Sequence, residues 1–152
     1  MKGLLILRII AKLSIPYMVM FALYVQFHGD LGPGGGFQAG VIGATAIVFY
    51  GLIFGLPAAR RLVPDYVVET MIAIGVLIYA GTGIAGLLLG GNYLDYFVLD
   101  PDPVHGQHRG IFWIEVGVAI TVSGVMLKIF YMFAGRGRAE NRRTPVERKP
   151  NA

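Results

Sequence analysis

The chain has 152 residues, of which 55% are hydrophobic and 14% charged, with a mean hydropathy of +0.64 and a formal net charge of +4. Soluble domains carry about a quarter charged residues, so this composition excludes an ordinary soluble domain and points to an all-α integral membrane protein. Cysteine is absent, which removes disulfides, thiol catalysis and cysteine-ligated metals from consideration.

Four apolar runs follow in chain order, from about Leu4 to Phe27, Phe37 to Leu56, Tyr66 to Leu89 and Ile111 to Phe133. Each is long enough to cross a hydrocarbon core of about 30 Å at about 1.5 Å per residue, so four transmembrane helices are expected. The first run has no small-residue cleavage site and reads as a retained span.

Between the first two runs lies Gly32-Pro33-Gly34-Gly35-Gly36-Phe37-Gln38-Ala39-Gly40. Proline lacks an N–H and glycine surrenders the most backbone freedom, so the first helix must stop here and the second start at about Gly36 or Phe37. Two readings are open for this turn. Its helix-start N–H groups favour an anion or carboxylate, or its small residues simply admit a neighbouring helix. A phosphate loop is not indicated, because no Lys-Ser or Lys-Thr follows the glycines.

Basic residues set the expected orientation. Lys2, Arg8 and Lys12 mark the N-terminal end, Arg60 and Arg61 the second loop, and Lys128 with the basic residues from Arg136 to Lys149 the C-terminal end. The positive-inside rule then places both termini in the cytoplasm, with the glycine turn and the loop from Gly90 to Gly110 outside. Residues 1–135 form the expected four-helix domain. Residues 136–152, basic and interrupted by Pro145 and Pro150, are expected to be a disordered cytoplasmic tail without nucleic-acid character.

Small residues recur at helical spacing in Gly36, Gly40 and Ala44, in Gly51 and Gly55, and in Thr82, Gly86 and Gly90. Such rows let membrane helices approach closely, and their surplus is read as contact with other membrane subunits.

Ionisable residues within spans are functional candidates by default. Glu115 lies about a turn into the fourth span, and Glu69 in the first turns of the third, where the helix dipole also suits it. Lys12 and Lys128 lie within snorkelling reach of the surface. His28 and Asp30 precede the turn and are placed to bond its N–H groups or relay protons, and Gln38 to satisfy backbone at the helix start. His105 and His108, near Asp100 and Asp102, read as solvated loop rather than a metal site. No cofactor is expected, no catalytic constellation is present, and no paired intramembrane charge cluster supports an autonomous transporter.

The stretch from His28 to Gly40 resembles the signature of the MnhB or MrpB family, one of the small membrane components of multi-subunit Na⁺/H⁺ antiporters, in His28, Pro33, Gly34, Gly35, Gly36, Phe37 and Gly40. The similarity extends to length and the four-span layout. It implies an accessory subunit in a cell membrane that contributes to assembly and ion coupling. Its implied partners are other membrane subunits, including large ones similar to complex I subunits, and the transported Na⁺ and H⁺. Gln38 and Ala39 depart from the antiporter pattern, and the Gln form also looks like the related subunit of membrane-bound hydrogenases, which is the alternative.

Overall fold

The computed structural model describes residues 2–29 and 33–143. Asp30 and residues 144–152 lie outside the described residues. The elements are α1 (Lys2–Phe27), α2 (Gly36–Phe54), α3 (Leu56–Leu62), α4 (Asp65–Leu88), a 3-10 turn (Tyr96–Leu99) and α5 (Pro103–Arg143). Among the described residues, α1, α2, α4 and α5 are the 4 helices long and apolar enough to cross a membrane. The chain is an all-α multi-pass membrane protein.

The element boundaries have local causes. The second helix starts at Gly36, as the Pro33–Gly36 turn requires. It ends at Phe54, short of the expected Leu56, because Gly55 adopts φ 93°, a conformation that glycine alone takes freely. Pro57 then sits in the first turn of α3, where its missing N–H is harmless.

The fourth span also departs from expectation at both ends. Asp102 Oδ1 accepts the Val104 N–H at 3.0 Å and Pro103 takes the first helical position, a start signal that moves the helix well before Ile111. His105, Gln107, His108 and Arg109 therefore lie in the opening turns of α5 rather than in a loop. At the other end, α5 runs on to Arg143, so residues 136–143 continue the helix instead of opening an irregular tail.

Helix α5 is the central member, packing on α4 along one side and on α2 along the other, while α1 lies mainly against α2. The α4–α5 contact is backbone on backbone. A Cβ at Gly75 would lie 2.6 Å from the Gly117 carbonyl oxygen, and one at Gly117 would lie 2.8 Å from that of Gly75. Lipid gives membrane helices no hydrophobic reason to associate, so close approach of this kind supplies the attraction.

The expected small-residue rows are largely consumed inside the chain. Gly36 and Gly40 face Glu115 and Ala119 of α5, Gly51 faces Phe130 and Ala59, and Gly83 and Gly86 lie under Tyr93 and Asp95. Many of these small residues are thus used within the bundle, while a Cβ at Gly90 would meet nothing within 4 Å.

Away from the glycine bend, the bundle closes around Tyr131, which is 1% exposed within a cluster of Ala44, Leu56, Ala59, Val68 and Leu127. Its hydroxyl donates towards the Val63 and Ala59 carbonyls at 2.9 and 3.2 Å. Arg60 pairs with Asp65 at 3.3 Å and stands 5.5 Å from the Tyr131 ring centre, joining α3, α4 and α5 at one end. Tyr131→Phe removes one donor and takes the hydroxyl bond from the part-buried Val63 carbonyl, while the Ala59 carbonyl keeps the Val63 N–H, so it is expected to lower stability by about 1 kcal/mol, read as a lower melting midpoint of the purified chain in detergent. An unchanged midpoint would contradict this role.

Candidate functional site

The bend between α1 and α2 is built to admit one side chain. Helix α1 ends at Phe27, with the His28 N–H donating to the Tyr24 carbonyl at 3.0 Å. Gly35 is the N-cap of α2 at φ 142° and ψ 174°, and no side chain caps the helix from that position. The first N–H groups of any helix lack intrahelical acceptors, so an acceptor has to come from elsewhere.

The side chain of Glu115 on α5 lies beside that helix start. A Cβ at Gly29 would lie 2.6 Å from Glu115 Oε2, and one at Gly35 would lie 3.1 Å from Oε1. At Gly36 it would overlap the Glu115 main-chain carbonyl, and at Gly34 it would lie 2.8 Å from the Val25 carbonyl oxygen. The carboxylate therefore sits in a seat walled by glycines, at the positive end of the α2 dipole. One turn along, a Cβ at Gly40 would lie 2.7 Å from the Ala119 carbonyl, so the same close approach continues down the helix pair. The geometry bears on both sequence readings of the turn. Its glycines admit a neighbouring helix, and that helix brings the carboxylate.

Gln38 joins the site. Its Oε1 would lie 3.4 Å from a Cβ at Gly35, although the residue is exposed. Phe37 is 61% exposed and points away from the bundle, and Pro33 is exposed as well. The His28 ring stacks on Tyr24 with centroids 4.2 Å apart, while its neighbour Gly29 meets Glu115.

The other candidates are elsewhere. Lys12 is exposed on α1, four residues after the exposed Arg8. Glu69 is bonded through Oε1 to the Lys128 ammonium, joining α4 to α5. That pair lies about 20 Å along α5 from Glu115 at about 1.5 Å per residue, so the two glutamates form separate sites. It also corrects the expectation that the spans hold no paired charges. The partners are 59 positions apart in sequence, beyond what helical periodicity can reveal.

Beyond the bend, Arg109 pairs with Asp100 at 2.6 Å and His105 with Asp102 at 3.4 Å. Among the described residues, no three of the His, Asp and Glu side chains converge closely enough to hold a metal ion. Tyr96 packs over Gly110, and burial, reinforced by Tyr79 and Tyr93, pushes its phenol above the ordinary value. One residue escaped the sequence reading. Gln26, a lone amide in an apolar run, is buried at 8% exposure.

Comparison with known proteins bears on this arrangement. Residues 6–128 match the MnhB family model, a domain related to the MnhB subunit of the Na⁺/H⁺ antiporter. The chain is 34% identical over 116 residues to a Na⁺/H⁺ antiporter subunit from Alkalihalophilus pseudofirmus, covering 69% of this chain and 79% of that one. It is 29% identical over 133 residues to the putative antiporter subunit mnhB2 of Staphylococcus haemolyticus, covering 86% and 94%. The putative antiporter subunit mnhB2 of Staphylococcus aureus strain Newman is 28% identical over 137 residues.

The seat makes a paired prediction. Gly36→Ala drives a methyl into the Glu115 carbonyl, whereas the Cβ of Gly81→Ala meets nothing within 4 Å. The first is expected to reduce the yield of folded chain severely, as overpacking costs about 1–3 kcal/mol or more. The second should be neutral or stabilising by up to about 1 kcal/mol, because alanine is the better helix former. Membrane yield and melting midpoints of the two variants check this, and equal behaviour would contradict the seat.

Proposed function

The chain belongs to the MnhB family, it is an accessory subunit of a multi-subunit Na⁺/H⁺ antiporter, and from that premise we propose that the Glu115 seat is its coupling element. The supporting observation is the lodging of both carboxylate oxygens of Glu115 against Gly29 and Gly35, at the start of α2. A carboxylate in this position has two states of different consequence. Ionised, it complements the helix start. Protonated or engaged by a cation, it gives up part of that attraction, and the α1–α2 bend is free to shift against its neighbours. A proton or cation passing the outer face of the complex is thereby linked to the position of α2.

In this reading the complex sits in the cell membrane with both termini of the subunit inside and the bend outside. The basic residues Arg60, Arg61 and Lys128 at the end opposite Glu115 support that orientation. The subunit transports nothing alone. Larger partner subunits carry the ions, and this one contributes to assembly and coupling. Glu69, His28 and Lys12 remain candidates for flanking the ion route. The relatives named above are antiporter subunits, which does not favour the hydrogenase alternative.

The test is Na⁺-dependent ΔpH in membrane vesicles carrying the complex with Glu115→Gln, which keeps shape and removes charge. Transport is expected to fall about tenfold with the complex still assembled, the equivalent of one charge-assisted hydrogen bond lost. Undiminished transport from an intact complex would reduce the seat to a structural clasp.

A further inference from the structure

Gln26 has no explanation within the chain. It is 8% exposed, and among the described residues neither its Nε2 nor its Oε1 has a hydrogen-bond partner. A carboxamide kept from water without a bond is strongly unfavourable, and an orphan of this kind in a native structure calls for a partner that is missing.

Its surroundings show where such a partner would come from. Gln26 borders a crevice of about 190 Å³ with Ala22 and Leu23 of α1 and Met71 of α4 on its walls, and Ala39 and Gly43 of α2 on its floor. Ser123 also borders it, but its hydroxyl proton is already donated to the Gly40 carbonyl at 2.9 Å. Met71 and Ile120 are shared with a second crevice of about 390 Å³ that continues along α4 to Tyr66. The two make one furrow along the bundle. On the same stretch of α4, next to Thr70, Glu69 keeps 62% of its side chain exposed although Oε1 is paired with Lys128.

We propose that this furrow seats a transmembrane helix of another subunit of the complex, which presents an amide or hydroxyl side chain to Gln26 as the carboxamide, covered in the lone chain, turns into the crevice it borders. The proposal rests on the accessory role within the antiporter. A lipid tail fills apolar space but brings neither donor nor acceptor. A helix bearing Asn, Gln, Ser or Thr brings both, and the small floor residues allow its backbone to come close.

Two measurements on the whole complex test this. A photoreactive benzophenone residue placed at Leu23 is expected to form an adduct, on irradiation of intact membranes, with a second subunit identified by mass spectrometry. Gln26→Leu is expected to reduce complex recovered after detergent extraction by about three- to fifteenfold, the range of one interhelical hydrogen bond, while the full chain made alone resists heat at least as well as before. Adducts with lipid only, or with a second copy of this chain, would overturn the proposal. So would unchanged recovery of the complex, or equal damage to the complex and the lone chain, which would mark Gln26 as a plain core residue. If the unaltered chain still co-purifies with antiporter subunits when these outcomes appear, the accessory role stands and the furrow alone is wrong.

Discussion

A carboxylate near the edge of the hydrocarbon needs positive potential or donors around it, and in this chain the backbone provides that surrounding at one bend. Glu115 lies where the N–H groups opening α2 lack intrahelical acceptors, and where Gly35 as N-cap offers no side chain of its own. The glycines follow from that requirement. A side chain at Gly29, Gly35 or Gly36 would occupy the volume of the carboxylate or of the Glu115 backbone, so the bend and α5 fit only without them. Helix α5 is thereby fixed against α2, and α1 is fixed by the bend that follows it.

The opposite end of the bundle is held by different chemistry. There Tyr131 donates to carbonyls of the α3–α4 connection, Arg60 pairs with Asp65, and Glu69 with Lys128. Between these two polar ends, α4 and α5 touch through Gly75 and Gly117 with little but backbone between them. Polar contacts fix the ends and close van der Waals approach fixes the middle, as expected where the solvent is itself apolar.

Much of this could be read from the residues. Apolar runs gave four spans because backbone groups in lipid must bond within their own helix, and Pro33 with the three glycines placed the start of α2 at Gly36. The glycine turn and Glu115 were both conspicuous, one for backbone freedom and the other for a charge in a span. Their meeting was not legible, since nothing in local periodicity relates a turn at residue 35 to a helix at residue 115. The same holds for Glu69 with Lys128. The early start of α5 was legible in principle from Asp102-Pro103, but the polar residues after it suggested a loop. Gln26 was visible as an amide in an apolar run, yet only packing distinguishes one that faces water from one that is buried.

Amide hydrogen exchange at Gly29 and over residues 34–38 tests the central claim most directly, comparing the unaltered complex with one carrying Glu115→Ala. If the carboxylate holds the bend, exchange should quicken there and at the first turn of α2, while the Tyr131 end keeps its protection. Unchanged protection at the bend, with loosening spread evenly over the bundle, would contradict the account.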